Sequence, residues 1–409
     1  MEGCARSHAQ AGASARACQG DCMDFELNAD QRALQETARR FARTELPELA
    51  RTLERDNRPV PADWLKRYGD MGFLGINLPA DLGGMGLGNL DALIVLEEFA
   101  QVSIAVAFPV FESVAGPVHA IARNADRTLA TRLCREVCRG GGVVAVSMSE
   151  PDAGTALTDL STRGRSEGEE IVVSGQKRWC SGGGHADGYL VYCRLSDEPG
   201  ARGIGAVYVE RDREGVSFGP GEELMGFRGI PSADMFLDDV RVPKDHVVVP
   251  AGGFRRLMEA FDLERCGNAT MCVGLAAAAF EQALAYVEER RQFGKPIADF
   301  QAVQLRIADM ATRLEAARLL LWRAVSRSDA DGLPSIADAS IAKCFANEMT
   351  RDVCGHAVQL MGGYGYHKEY GAEQRFRDAW GWGIAGGTID IQKVNIAAAL
   401  LGRRFNQRR

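Results

Sequence analysis

The hydrophobic periodicity of this 409-residue chain changes twice, which restricts it to folds that set a β-rich segment between two helical ones. From Asn28 to about Gly140 the spacing is helical. Leu34, Ala38 and Phe41 fall three and four apart in a helix expected over residues 31–44, and Asn28 is placed to cap it. A second helical stretch covers residues 61–71, a glycine-rich loop follows at 79–88, and Asn89 opens a further helix. Near Gly141 the pattern becomes short β-prone runs at 143–146, 171–173, 189–192, 205–209 and 235–237, separated by Gly, Asp, Glu and Pro clusters. That is the pattern of a small β-sandwich or barrel. From Gly253 long helices return, over 254–291, 300–327, 335–360 and 388–403, enough for a four-helix bundle. The expected fold is α+β and multidomain: an all-α domain at 23–142, a β-domain at 143–250 and a four-helix bundle at 251–409. Residues 1–22 are small and polar and are expected to be a disordered extension, with Met23 opening the folded sequence.

Composition excludes several functions. The net charge of −7 and scattered Lys and Arg argue against a nucleic-acid surface. No apolar run of about 18 residues is visible, so no membrane span is expected. The N-terminus lacks the apolar stretch of a secretory signal, and a cytoplasmic location is expected. Eleven Cys and six His form no metal-ligand pattern. No metal is expected, and the thiols read as reduced, buried, small hydrophobes.

Several motifs stand out. Ser147-Met-Ser-Glu-Pro-Asp-Ala-Gly-Thr155 leaves a strand through Pro and Gly, and Gln176-Lys-Arg-Trp-Cys-Ser-Gly-Gly-Gly184 sets an aromatic residue before a glycine run. Glu289-Arg-Arg-Gln-Phe-Gly-Lys-Pro296 links two bundle helices, and Gln359-Leu-Met-Gly-Gly-Tyr-Gly-Tyr366 is followed by Arg375-Phe-Arg-Asp378. Singly, each reads as turn chemistry or core; a buried Trp, for example, is usually core. Their glycines would also let backbone approach a bound phosphate or flavin.

In this order and spacing, with Asp238-Asp-Val-Arg-Val-Pro243 and Ile307-Ala-Asp-Met310, the chain from about Asp24 onward resembles the acyl-CoA dehydrogenase superfamily. The resemblance implies FAD, an acyl-CoA substrate, an electron-transfer flavoprotein as acceptor and a homotetramer built as a dimer of dimers. Carried over by motif, Met148, Ser149, Gly154 and Thr155 should line the flavin, with Trp179 and Ser181 at its ring. Arg290, Phe293, Gln301, Gln359, Gly362 and Gly363 should reach the FAD of a neighbouring subunit. Thr388 and Asp390 should lie near the adenosine pyrophosphate, although most relatives carry Gln or Glu where Asp390 stands.

The resemblance breaks at one place. Most members hold their catalytic Glu in an Ile-Tyr-Glu-Gly-Thr segment, and here that segment is Ile384-Ala-Gly-Gly-Thr388. Gly386 cannot take a proton. A minority of relatives, resembling isovaleryl-CoA and long-chain dehydrogenases, carry the base before an Arg on a bundle helix, as in Phe261-Asp-Leu-Glu-Arg265. The pairing implies Glu264 as α-proton base, with hydride passing to flavin N5 and a trans-2-enoyl thioester as product. Gly386 would keep its backbone N–H for the thioester oxygen. Asp262 and Arg265 would contact the pantetheine and CoA. Chain length would be set within 79–90 and 91–111. Out of context, Glu264 reads instead as a charge on a solvated helix face.

Two other functions compete. The same loops resemble acyl-CoA dehydrogenase-like desulfinases, FAD proteins that release sulfite without net redox. In those, Gln is expected at the Glu264 position and Arg at the Met85 position. A non-catalytic flavoprotein is the third reading, and the retention of both Glu264 and Arg265 argues against it.

Overall fold

The computed structural model describes residues 25–328, 332–403 and 405, so the extension expected at 1–22 lies outside the described residues. Helix α1 (Ala29–Glu45) starts at a closed capping box. Asn28 Oδ1 accepts from the Gln31 N–H at 2.9 Å, and Gln31 Oε1 accepts from the Asn28 N–H at 3.1 Å. Then come α2 (Pro47–Asp56), α3 (Ala62–Asp70), α4 (Asn89–Val102), α5 (Ile104–Val114), α6 (Pro117–Asn124) and α7 (Arg127–Cys138).

Eight strands follow: β1 (Val144–Ser147), β2 (Arg163–Glu167), β3 (Glu170–Ser181), β4 (Gly188–Arg194), β5 (Ile204–Glu210), β6 (Val216–Phe218), β7 (Ser232–Pro243) and β8 (Val247–Val249). They form one sheet in the order β6-β7-β3-β2-β4-β5-β8, with β1 parallel to β4. The period of two sends successive β4 side chains to different cores. Tyr189, Val191 and Cys193 join Ile171, Val173, Met235 and Val240 in an interior shared by both halves of the sheet, while Leu190 and Tyr192 pack with α6, α7 and α8 (Phe254–Glu289). Strands β2, β6 and β8 carried no legible signal, because Arg163-Gly-Arg-Ser-Glu167 has no apolar alternation and the other two span 3 residues each.

Beyond α8 the chain makes a hairpin of β9 (Arg291–Gln292) and β10 (Lys295–Pro296), then α9 (Gln301–Ser326), α10 (Ile336–Met361), α11 (Gly363–Tyr366), α12 (Ala372–Trp382) and α13 (Ile389–Leu400). Helix α10 lies among α8, α9, α12 and α13, so α12 joins the four helices anticipated. Its polar sequence, Ala-Glu-Gln-Arg-Phe-Arg-Asp-Ala-Trp-Gly-Trp, hid it. Helix α8 runs 36 residues and admits α4 and α5 closely. A Cβ on Gly274 would meet Ala100 at 2.7 Å, and one on Gly267 would meet Ala115 at 2.6 Å and Phe111 at 2.9 Å.

Among the described residues two helical stretches, Ile104–Asn124 and Phe254–Glu289, are long and apolar enough by length and composition to cross a membrane, although neither holds an unbroken apolar run of about 18 residues. Their most apolar windows are 94% and 67% buried inside the protein, the pattern of core helices that are apolar on all sides. The described cysteines are free and buried, and no group of three or more metal-ligating side chains occurs among the described residues.

Candidate active site

The loop after β1 is held from beneath by a buried ion pair. Inward positions of β3 run Ile171, Val173 and then Lys177, whose side chain is fully buried. Lys177 Nζ donates to Glu150 Oε1 at 2.8 Å and to the Met148 carbonyl at 3.2 Å. Glu150 also accepts from Ser161 N–H (2.6 Å), Ser161 O–H (2.7 Å) and Thr162 N–H (2.9 Å). Burial opposes its charge, but Lys177 and these donors outweigh that and hold the carboxyl at about 2. Above this anchor, the Arg178 N–H donates to the Ser149 carbonyl at 2.9 Å and joins the two motif loops into one rim.

The next residue breaks two rules. Trp179 has φ +61° and is 52% exposed, which departs from the core position that a Trp in a strand usually takes. The register of β3 against β7 shifts between Lys177 and Cys180, and this bulge turns the indole outward, where the Arg178 guanidinium lies 4.2 Å from the ring centroid. A large aromatic side chain strained and exposed on a rim is a signature of a ligand surface. A Cβ on Gly154 would meet nothing within 4 Å, so space lies open beside the loop. The loop that carries Met148, Ser149, Gly154 and Thr155 is thus tied to the end of β3 that carries Trp179 and Ser181.

A second group lies on the bundle. Arg290, Gly362 and Gly363 line a cleft of about 510 Å³ with Tyr286, Tyr364 and His367. Its lining includes none of the rim residues. Phe293 stands at the tip of the β9–β10 hairpin with φ +52° and 93% exposure. Gln301 and Gln359 are also exposed. Thr388 caps α13, its hydroxyl accepting from the Ile391 N–H at 3.4 Å, and Asp390 sits exposed in the first turn.

Between these groups, α8 turns Phe261, Glu264, Arg265 and Asn268 toward the α12–α13 loop. Asn268 Nδ2 donates to the Trp382 carbonyl at 3.2 Å and its Oδ1 accepts from Asn347 at 2.8 Å. Arg265 donates to Asp262; both are buried, and burial pushes the Asp262 carboxyl up to about 6 despite the cation. Arg265 also lies 5.2 Å from the centroid of the Phe261 ring. Glu264 is partly buried and no described residue hydrogen-bonds it. Burial pushes its carboxyl up to about 8, against the pull of Lys343 and Arg265. The solvated-helix reading of Glu264 fails on this environment. The buried Glu112 of α5 is raised well above the carboxylate range by burial and by Glu264, and its Oε2 has no partner.

Lys343 was missed by sequence reasoning, as were Lys177, Glu112 and Asn268. Fully buried on α10, Lys343 donates to the carbonyls of Ala385 (2.5 Å), Gly386 (2.8 Å) and Gly387 (2.9 Å). Both lysines interrupt otherwise apolar faces, Ile171-Val173 on β3 and Ala339-Ala342-Ala346 on α10, and that interruption was the available signal.

The α–β–α architecture, an exposed strained Trp beside an open loop, and a carboxylate on the helix face turned toward a glycine turn are the features expected of an acyl-CoA-handling flavoprotein. The comparisons agree. The chain matches the acyl-CoA dehydrogenase N-terminal domain over residues 28–149, the middle domain over 145–240 and the C-terminal domain over 251–401. It belongs to the acyl-CoA dehydrogenase family, whose cofactor is FAD. It is 37% identical to the 3-sulfinopropanoyl-CoA desulfinase of Variovorax paradoxus, over 94% of this chain and 98% of that protein. It is 36% identical to the acryloyl-CoA reductase (NADH) of Anaerotignum propionicum, over 93% and 97%. The solved butyryl-CoA dehydrogenase of Megasphaera elsdenii superposes with a TM-score of 0.88 at 29% identity, covering 93% of this chain and all of that one.

Proposed function

We propose that this enzyme catalyses α,β-dehydrogenation of an acyl-CoA thioester to a trans-2-enoyl-CoA, with Glu264 as the base. The observation that carries the reading is the state of Glu264: a partly buried carboxylate that no described group hydrogen-bonds, pushed up to about 8, on the helix face turned toward the Gly386 loop. A base with that affinity takes a proton well near neutral pH. FAD supplies a two-electron acceptor when bound.

In the reaction, Glu264 takes the α-proton. The α C–H electron pair becomes the new double bond as the β-hydrogen departs with its own pair. The Gly386 N–H, on a loop fixed by Lys343, donates to the thioester oxygen, where negative charge develops. Asp262 and Arg265 orient the CoA end. The rim from Met148 to Thr155, with Trp179 and Ser181, holds the flavin ring. Arg290, Phe293, Gln301, Gln359, Gly362 and Gly363, exposed within one chain, serve a neighbouring subunit's FAD in a homotetramer, and Thr388 and Asp390 serve the adenosine pyrophosphate. An electron-transfer flavoprotein reoxidises the enzyme.

The desulfinase relative favours a second reading, release of sulfite from 3-sulfinopropanoyl-CoA. The residues weigh against it: such desulfinases are expected to carry Gln at position 264 and Arg at position 85, and this chain carries Glu264 and Met85. A panel of acyl-CoAs assayed with an artificial electron acceptor, and in parallel for sulfite, tests the choice. Enoyl product without sulfite is expected; sulfite release without acceptor reduction would reverse the assignment.

A further inference from the structure

A glycine at the usual base position creates a mechanical problem. Gly386 and Gly387 both have positive φ, +66° and +86°, so the turn has no side chains of its own to hold it. Backbone this free has low intrinsic rigidity. Yet a useful hydrogen bond to a thioester oxygen demands a fixed N–H direction.

The structure shows what fixes it. Two consecutive left-handed residues curl the carbonyls of Ala385, Gly386 and Gly387 inward onto the single ammonium of Lys343. Its three donors are thereby used, and an ammonium has no others. Gln392 adds a fourth tether, donating to the Gly387 carbonyl at 2.9 Å, and is itself buried and bound by the Ser340 hydroxyl at 3.0 Å. The space beside Gly386 is occupied as well: a Cβ there would lie 3.1 Å from Lys343 Nζ and 3.6 Å from Phe261. Among the described residues no carboxylate neutralises this ammonium at hydrogen-bond range, so its charge acts on Glu264 across the site.

We infer that Lys343 is a positioning residue with two linked tasks: its ammonium locks the Ala385–Gly386–Gly387 turn by its carbonyls, and its charge favours the ionised form of Glu264. The inference rests on the reading of Glu264 as base only for the second task. The charged or titratable groups around the pair are Arg265, Asp262 and Cys272 on α8, Glu112 on α5 and Tyr192 on β4. Burial and Arg265 weaken the hold of Lys343 on its proton, while Cys272 and Glu264 strengthen it. Lys343 and Glu264 therefore favour each other's charged forms.

The test uses the FAD-loaded enzyme with Lys343→Gln and Lys343→Arg. Gln keeps a donor and removes the charge, and Arg keeps the charge in a shape that cannot serve three converging carbonyls. Two readouts are taken: amide hydrogen exchange at Ala385 and Ile389, whose N–H groups donate to the Gly381 and Gly383 carbonyls at either end of the turn, and the acid limb of kcat/KM against pH. Removing a nearby cation makes Glu264 harder to ionise, so Lys343→Gln should move the acid limb to higher pH by about one unit, a tenfold loss at fixed pH below it. Lys343→Arg should leave the limb within a few tenths of a unit. Both should speed exchange in the turn by about tenfold or more. Unchanged exchange in both variants would overturn the locking role, and an unmoved acid limb in Lys343→Gln would overturn the electrostatic one. If either variant does not fold, exchange in the parent enzyme decides: protection of Ala385 and Ile389 should fall as pH rises through the Lys343 titration, and pH-independent protection would refute the lock. Should Glu264→Gln leave flavin reduction intact, the base assignment falls while the exchange result still stands or fails alone.

Discussion

Two lysines are wholly buried among the described residues and meet opposite environments. Lys177, under the β1 loop, faces the carboxylate of Glu150 at 2.8 Å, and their charges cancel locally. Lys343, under the α12–α13 turn, faces only carbonyl dipoles, and its charge reaches Glu264. Both organise a backbone loop through its carbonyls. Only the uncompensated one can influence a proton transfer. The paired lysine is neutralised where it stands, and the unpaired one keeps a field at Glu264, the site of the proposed proton transfer.

Removing one member of the paired site should produce the largest effect. Lys177→Met strands Glu150 without its cation in a dry setting, a loss of about 3–5 kcal/mol. Its unfolding midpoint in urea should fall steeply, and Lys177→Met with Glu150→Leu should recover much of it. A Lys177→Met protein as stable as the parent would show that the loop does not need the pair.

At the unpaired site the effect should appear in rate, with stability close to the parent's. Glu264→Gln should keep FAD and fold, yet reduce its flavin with acyl-CoA slower by a factor on the order of 10² or more. In the parent, only ionised Glu264 is a base, so kcat/KM should climb as pH rises toward about 8 and level off above it. Stopped-flow bleaching of the flavin measures both. Flavin reduction as fast as the parent's would reduce Glu264 to a bystander and move sulfinate elimination ahead.

A smaller effect comes from moving the carboxylate. Glu264→Gly with Gly386→Glu should recover part of the rate lost in Glu264→Gly. Recovery will be partial, because residue 386 has φ +66° and a Cβ there crowds Lys343 at 3.1 Å. A left-handed non-glycine residue costs about 1–2 kcal/mol, readable as a lower melting temperature. No recovery at all would mean that the two positions do not address the same carbon.

The smallest change lies far from both lysines. Asn28→Ala opens the capping box of α1 and should cost about 1 kcal/mol with catalysis unaffected. A loss of activity at constant stability would tie α1 to the site in a way no contact here suggests.

Much of this was legible in the sequence. Asn28 and Gln31 announced the start of α1, and the long apolar periods announced α8, α9, α10 and α13, because a helix face three to four residues wide is written locally. The motif loops and the exchange of Glu264 for a glycine at 386 could also be read, since each is a short string of unusual residues. The outward turn of Trp179 was not legible from its own residues, because it depends on a bulge formed against β7, fifty residues and more away.

What the sequence by itself determined is the set of elements and the residues able to do chemistry: local periodicity, caps, glycines and one displaced glutamate. What only the tertiary structure decided is which charges are neutralised. Glu150 and Lys177 lie 27 positions apart and Lys343 lies 43 from Gly386, and neither spacing reveals a hydrogen bond. Burial raises the affinity of Glu264 for its proton and makes an unpartnered ammonium felt across the site, and burial exists only once α8, α10 and the α12–α13 turn have packed together.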